Sequence, residues 1–112
     1  MKNPVVYFEI GCRDKPAIRE FYSKLFDWNI DADGRIKSDD KSPGGHINSL
    51  GHESHNYTLF YVMVDDLPAA IARAEANGGS KVVGPITLPG GGAFAWIKDP
   101  EGNVMGLYGE AS

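Results

Sequence analysis

Glu9 is the residue hardest to explain as packing. It sits in the run Val5-Val6-Tyr7-Phe8-Glu9-Ile10-Gly11, whose other members are β-branched, aromatic, aliphatic or small. Such a run reads as a strand, and alternation puts Tyr7 and Glu9 on one face with Phe8 and Ile10 on the other. A helix can cover the apolar pair, so Glu9 belongs to the face away from it. An ionised carboxylate there loses hydration and needs a donor, for which Tyr61, His46 or a ligand cation would serve. A partly buried carboxylate is also suited to proton transfer, with a histidine as partner. The inert alternative is a solvated Glu9 at an open edge.

The other reactive residue types are sparse. His46 follows Pro43-Gly44-Gly45, and a lone histidine makes no zinc or iron site, which needs at least three protein ligands. His52 and His55 lie three apart in a polar stretch and read as solvated linker residues. Cys12, the single cysteine, excludes an internal disulfide and reads as a small residue at a strand end in a reducing cytoplasm. Gly90-Gly91-Gly92 lacks the lysine and the strand-to-helix context of a phosphate loop, so it reads as a hairpin turn. No Gly-x-Ser-x-Gly nucleophile motif occurs. Asp65-Asp66 reads as a helix cap and Asp39-Asp40 as a solvated loop. Trp28 reads as packing beside a helix end, whereas Trp96 suits either packing or stacking on a flat ligand.

With 112 residues, the chain has room for one domain. A net charge of −4 with scattered lysines and arginines argues against a nucleic-acid partner. No apolar stretch is long enough to span a bilayer, and the N-terminus has no signal-peptide pattern, so neither a membrane nor export is expected.

The elements that must position these residues follow from an internal repeat. Setting residue 7 on residue 59 aligns Phe8 with Phe60, Asp14 with Asp66, Pro16 with Pro68 and Ala17 with Ala69 in one ungapped block. Each copy starts with a strand, Val5 to Gly11 or Tyr57 to Val64, followed by an aspartate suited to cap a helix and a proline suited to its first turn. Ile18, Phe21, Tyr22, Leu25 and Phe26 then form one apolar stripe, and Leu67, Ala70, Ile71 and Ala74 a narrower one. Three strands are expected after each helix: Trp28–Asp31, Arg35–Ser38 and His46–Leu50, then Lys81–Leu88, Ala93–Lys98 and Asn103–Tyr108. Asp33-Gly34 and Pro43-Gly44-Gly45 separate the strands of the first copy, and Pro89-Gly90-Gly91-Gly92 and Asp99-Pro100-Glu101-Gly102 are strong turn signals in the second. The expected fold is α+β: two βαβββ modules, residues 1–50 and 57–112, joined by a polar linker at 51–56. Their curved mixed sheets would pair around a shared cleft as a single domain.

These residues resemble the vicinal oxygen chelate superfamily, the group of glyoxalases, bleomycin-resistance proteins and extradiol dioxygenases. The first half carries Phe8-Glu9-Ile10, Asp14, Phe21-Tyr22 and Leu25-Phe26-Asp27-Trp28. The second half is more similar, with Val64-Asp65-Asp66-Leu67, Ala76-Asn77-Gly78-Gly79, Gly84-Pro85 and Lys98-Asp99-Pro100-Glu101-Gly102-Asn103. The resemblance implies one divalent metal, held by His, Gln or Glu from the first and last strands of each module. Carried over, those positions fall on Tyr7, Leu59 and Gly106, none of them a usual ligand. If Ile47 faces the helix as Leu107 should, His46 and Asn48 lie on the opposite face, and His46 alone is of ligand type.

The expectation is therefore a small-molecule-binding protein without the usual metal site and with no cofactor. Tyr7, Glu9, His46, Asn48, Leu59, Tyr61, Trp96 and Tyr108 would line its site. The alternatives are a divergent lyase, isomerase or dioxygenase-type enzyme, through displaced metal ligands or Glu9 and His46 as acid and base, and a partner-binding module with a vestigial cleft. Members of this size often pair, so a homodimer is expected.

Overall fold

The computed structural model describes residues 2–49 and 56–110. The expected linker, with His52 and His55, falls almost wholly outside them. Seven strands and two helices are present among the described residues: β1 (Val5–Gly11), α1 (Lys15–Phe26), β2 (Arg35–Ile36), β3 (Gly44–Asn48), β4 (Tyr57–Asp66), α2 (Leu67–Ala76), β5 (Ser80–Thr87), β6 (Ala93–Lys98) and β7 (Val104–Glu110). The architecture is mixed α+β, as the repeat implies. Contacts divide the chain into a first unit, Val6–Leu59, and a second, Met1–Val5 with Phe60–Ser112.

Within each unit the same pairing recurs. In the first, β1 runs parallel to β3, which is antiparallel to β2. In the second, β4 runs parallel to β7, which is antiparallel to β6, itself antiparallel to β5. A parallel pair needs a long crossover, and each unit supplies one through its helix. The helix starts have the expected chemistry: Asp14 accepts a bond from the Ala17 amide and Asp66 from the Ala69 amide, each at 3.1 Å.

Eight strands were expected, and the first post-helical strand of the first unit is the missing one. Trp28–Asp31 reduces to a single bridge, Ile30 to Ile36. The reason is the Asp31 turn. Its carboxylate accepts from the Asp33 amide at 2.9 Å and the Arg35 amide at 3.0 Å, and Gly34 takes a φ of 91°. The chain reverses too early for a ladder to grow. The same loop closes β6 onto β7, where Asp99 accepts from Glu101 and Asn103 at 2.9 Å and Gly102 has a φ of 90°. There the flanking strands are long enough to pair fully.

Two cores result. In the second unit Leu67, Ala70 and Ile71 of α2 pack on Val64, Ala93, Ala95, Ile97 and Leu107. In the first, Ile10, Cys12, Ile36 and Ile47 are covered by Phe8, Ile18, Tyr22, Trp28 and Ile30. The predicted five-residue stripe of α1 is only partly used. Ile18 and Tyr22 pack, while Phe21, Leu25 and Phe26 remain 54%, 57% and 51% exposed. A two-residue β2 and a five-residue β3 offer too little sheet to cover the last turns of a twelve-residue helix. Trp28 partly substitutes for that sheet, stacking on Tyr22 with ring centroids 5.7 Å apart.

Candidate functional site

The face of the first unit away from α1 is built by alternation. Ile10 and Ile47 turn into the helix-covered core, so their neighbours Glu9, His46 and Asn48 point the other way. Register then brings them together, because Glu9 lies beside His46 and Gly11 beside Asn48 on the parallel pair. The Asn48 Nδ2 donates to Glu9 Oε2 at 3.3 Å. His46 Nε2 lies 3.7 Å from Glu9 Oε1, too far for a hydrogen bond but close enough for strong electrostatic coupling. Tyr7 completes the group, its hydroxyl 2.9 Å from His46 Nδ1.

Glu9 is only 2% exposed, so the open-edge alternative does not hold. One of its donors is a residue that sequence reading passed over. The Tyr57 hydroxyl donates to Glu9 Oε2 in a short hydrogen bond. Tyr57 reaches it because residue 11 is glycine: a Cβ there would come within 2.0 Å of the Tyr57 ring. The signal was available in the alternation Tyr57, Leu59, Tyr61 along β4, which sets Tyr57 on the same strand face as two residues already considered.

The electrostatics follow from this packing. Burial, the hydrogen bond to Glu9 and the charge of Glu9 push the Tyr57 hydroxyl far above its ordinary pKa, so it stays protonated and donates. Burial raises Tyr7 as well, with Glu9 and Asp31 adding to the rise and Arg35 opposing it. Burial lowers the His46 pKa from its ordinary 6.5; Glu9 opposes this, and Arg35 and Lys15 reinforce it. The neutral imidazole next to a carboxylate oxygen favours the proton on Nε2, and Tyr7 then donates to Nδ1. The result is an imidazole held at Nδ1 by Tyr7, one third exposed, with Nε2 just short of a nearly inaccessible carboxylate.

Tyr61, Trp96 and Tyr108 lie in the second unit. Tyr61 and Trp96 are buried, and the Trp96 Nε1 donates to the Tyr61 hydroxyl at 2.9 Å. At 1% exposure the Trp96 indole is enclosed by protein. Phe94 stands edge-on to Tyr61 and opposite Tyr108 in the ladder. Leu59 is buried on β4. Cys12 is buried in the first core, which raises its thiol pKa above the ordinary value.

The metal-ligand positions implied by the family resemblance were tested on the side chains present. Leu59 has no donor atom, and the space a ligand would need at Gly106 is taken by the Tyr61 ring, 2.2 Å from where a Cβ would stand. Tyr7 is committed to His46. Among the described residues no three His, Cys, Asp or Glu side chains come together as a metal-holding group. These residues do not fit the family's divalent metal.

A family profile for a glyoxalase-like domain matches residues 6–108. The chain belongs to the glyoxalase-like domain family, within the vicinal oxygen chelate superfamily. A glyoxylase-like domain-containing protein of Didymella fabae is 31% identical over 112 aligned residues, covering 88% of each chain. CFP32 of Mycobacterium bovis, named as a candidate glyoxylase, is 32% identical over 72 residues; the match covers 64% of this chain and 28% of that one. This chain thus spans under a third of that relative. Methylmalonyl-CoA epimerase from Mycobacterium tuberculosis shares the fold at 14% identity, with a TM-score of 0.67 over 96% of this chain and 88% of that one.

Proposed function

We propose that this glyoxalase-like domain binds a small molecule without the family's usual metal and recognises it through the Tyr7–His46–Glu9 group. The observation that carries this is the 2% exposed Glu9, held by Tyr57 and Asn48 beside a partly exposed imidazole that Tyr7 orients. A carboxylate is costly to bury, and perturbed titratable groups cluster where proteins bind and react. The names of similar proteins point the same way. The Streptomyces peucetius relative, 23% identical over 91% of this chain and 45% of its own length, is an anthracycline biosynthesis protein. A methylmalonyl-CoA epimerase shares the fold. Both are names of proteins that handle small molecules, which supports a small-molecule ligand.

The geometry also favours a second reading, a divergent lyase or isomerase using Glu9 and His46 in acid–base chemistry. The observation behind it is the row of titratable groups, with the Tyr7 hydroxyl 2.9 Å from His46 Nδ1 and the Glu9 carboxylate 3.7 Å from Nε2. The test serves both readings. Aromatic and amphipathic compounds are screened by thermal shift, and hits are measured by calorimetry on the parent and on Glu9→Gln. Loss of affinity by about tenfold, near 1.4 kcal/mol, with the fold intact supports recognition through the Glu9–His46 pair. Unchanged affinity overturns it, and turnover of a hit that disappears in His46→Asn favours the enzyme.

A homodimer and a cytoplasmic setting belong to the same proposal. The exposed Phe21, Leu25 and Phe26 of α1 are suited to a two-fold contact, and the lone Cys12 to a reducing compartment. Light scattering at micromolar concentration giving a mass near 12.1 kDa would refute the dimer. No helix among the described residues is long and apolar enough to cross a membrane.

A further inference from the structure

His46 and Glu9 lie side by side on adjacent strands, yet stop at 3.7 Å. A carboxylate and an Nε2–H at that spacing need only a small side-chain rotation to reach hydrogen-bond distance. Something therefore holds the carboxylate back. Asn48 and Tyr57 both bond Oε2, the oxygen turned from His46, and the Tyr57 hydroxyl also engages Asn48. The Tyr57 ring lies over Gly11, where a Cβ would be 2.0 Å from Cε2 and 2.2 Å from Cδ2. The ring's seat, the missing side chain beneath it and the shared acceptor oxygen form one device, reaching Glu9 from a different strand than His46 does.

We propose that Tyr57 is a positioning residue, which anchors the Glu9 carboxylate through Oε2 and so holds Oε1 short of His46, keeping the imidazole edge available to a ligand. Gly11 is part of the device because only a residue without a Cβ lets the ring lie there. This deepens the recognition reading, on which only the role toward a ligand rests; the hold on Glu9 concerns the protein without any ligand.

The groups that bear on His46 among the described residues are Glu9 and Tyr7 on β1, Arg35 on β2, Lys15 on α1 and, through Glu9, Tyr57 on β4. If Tyr57 holds Glu9 away, removing its hydroxyl lets the carboxylate close on the imidazole, and the charged form of His46 gains a partner. The experiment is an NMR titration of the full chain, with His46 assigned by comparison with His46→Asn. Tyr57→Phe should raise the His46 midpoint by about 0.5 pH unit or more, the size expected when a nearby carboxylate approaches. In a Glu9→Gln background, Tyr57→Phe should leave the midpoint unmoved. That cycle separates positioning from a packing role, because loss of packing alone would act equally in both backgrounds.

Gly11→Ala supplies a second variant that touches neither hydroxyl nor carboxylate. It displaces the Tyr57 ring and should shift His46 in the same direction. No shift in either variant, a downward shift, or an equal shift in the Glu9→Gln background would overturn the proposal. Any one of these results, together with weaker ligand binding in Glu9→Gln, would leave recognition standing and remove Tyr57 from it.

Discussion

The two units pair their strands by the same plan but fill their helix-free faces in opposite ways. In the first, the ladder row Arg35–His46–Glu9 crosses the sheet. In the second, the corresponding row is Trp96–Gly106–Tyr61. One row is charged and partly solvated; the other is aromatic, with Trp96 and Tyr61 at 1% and 5% exposure and a hydrogen bond between them. The helices differ in the same sense. α2 buries Leu67, Ala70 and Ile71, whereas α1 has no fully buried residue. A narrow stripe of alanines lets α2 approach its sheet closely, and the bulky stripe of α1 exceeds what its short sheet can cover. The contrast lies in the filling: the second unit has the larger buried apolar core, and the first keeps buried and half-buried polar groups on its helix-free face.

The comparison breaks most sharply at Trp96. Trp96→Ala should destabilise the protein by about 3–5 kcal/mol in urea unfolding, through the cavity and the lost hydrogen bond to the Tyr61 hydroxyl. Arg35→Ala, at the matching place in the first unit, should stay within about 0.5 kcal/mol of the parent. Equal losses at the two positions would show that the rows do the same work.

A smaller effect concerns the two glycines under tyrosine rings. A Cβ at Gly106 would stand 2.2 Å from the Tyr61 ring, as one at Gly11 would stand 2.0 Å from Tyr57. Gly106→Ala should cost about 1–3 kcal/mol by overpacking and change the Trp96 fluorescence, because Tyr61 has to leave its place. Unaltered fluorescence and stability would mean that the ring is loosely seated.

The smallest effect is the dependence on pH. The His46 pKa is depressed in the folded protein below its ordinary 6.5. The unfolded chain therefore binds this proton first, so stability is present above pH 6.5 and is lost as pH falls below it. His46→Asn should flatten the stability profile between pH 6.5 and about 5, a range above the titration of ordinary carboxylates. Trp96→Phe should leave that slope unchanged, since its unit does not supply the proton. A slope insensitive to His46→Asn would place the acid sensitivity elsewhere.

The sequence by itself determined whatever depends on local periodicity. Asp14 with Pro16, and Asp66 with Pro68, announce two helix starts; alternation assigns Phe8, Ile10, Ile47 and Leu107 to the helix-covered faces and thereby turns Glu9 and His46 away from them. The repeat predicts the shared strand pairing, since copies of one local pattern seek the same partners. Tertiary structure alone decided three things. It reduced Trp28–Asp31 to one bridge, because the Asp31 turn competes with the ladder for the same backbone groups. It left Phe21, Leu25 and Phe26 uncovered, because burial depends on how much sheet faces a helix and not on the helix's own stripe. And it chose Tyr57 as the donor to Glu9, 48 residues away, because that contact needs a particular register and an empty space over Gly11, neither of which is a property of any local stretch of chain.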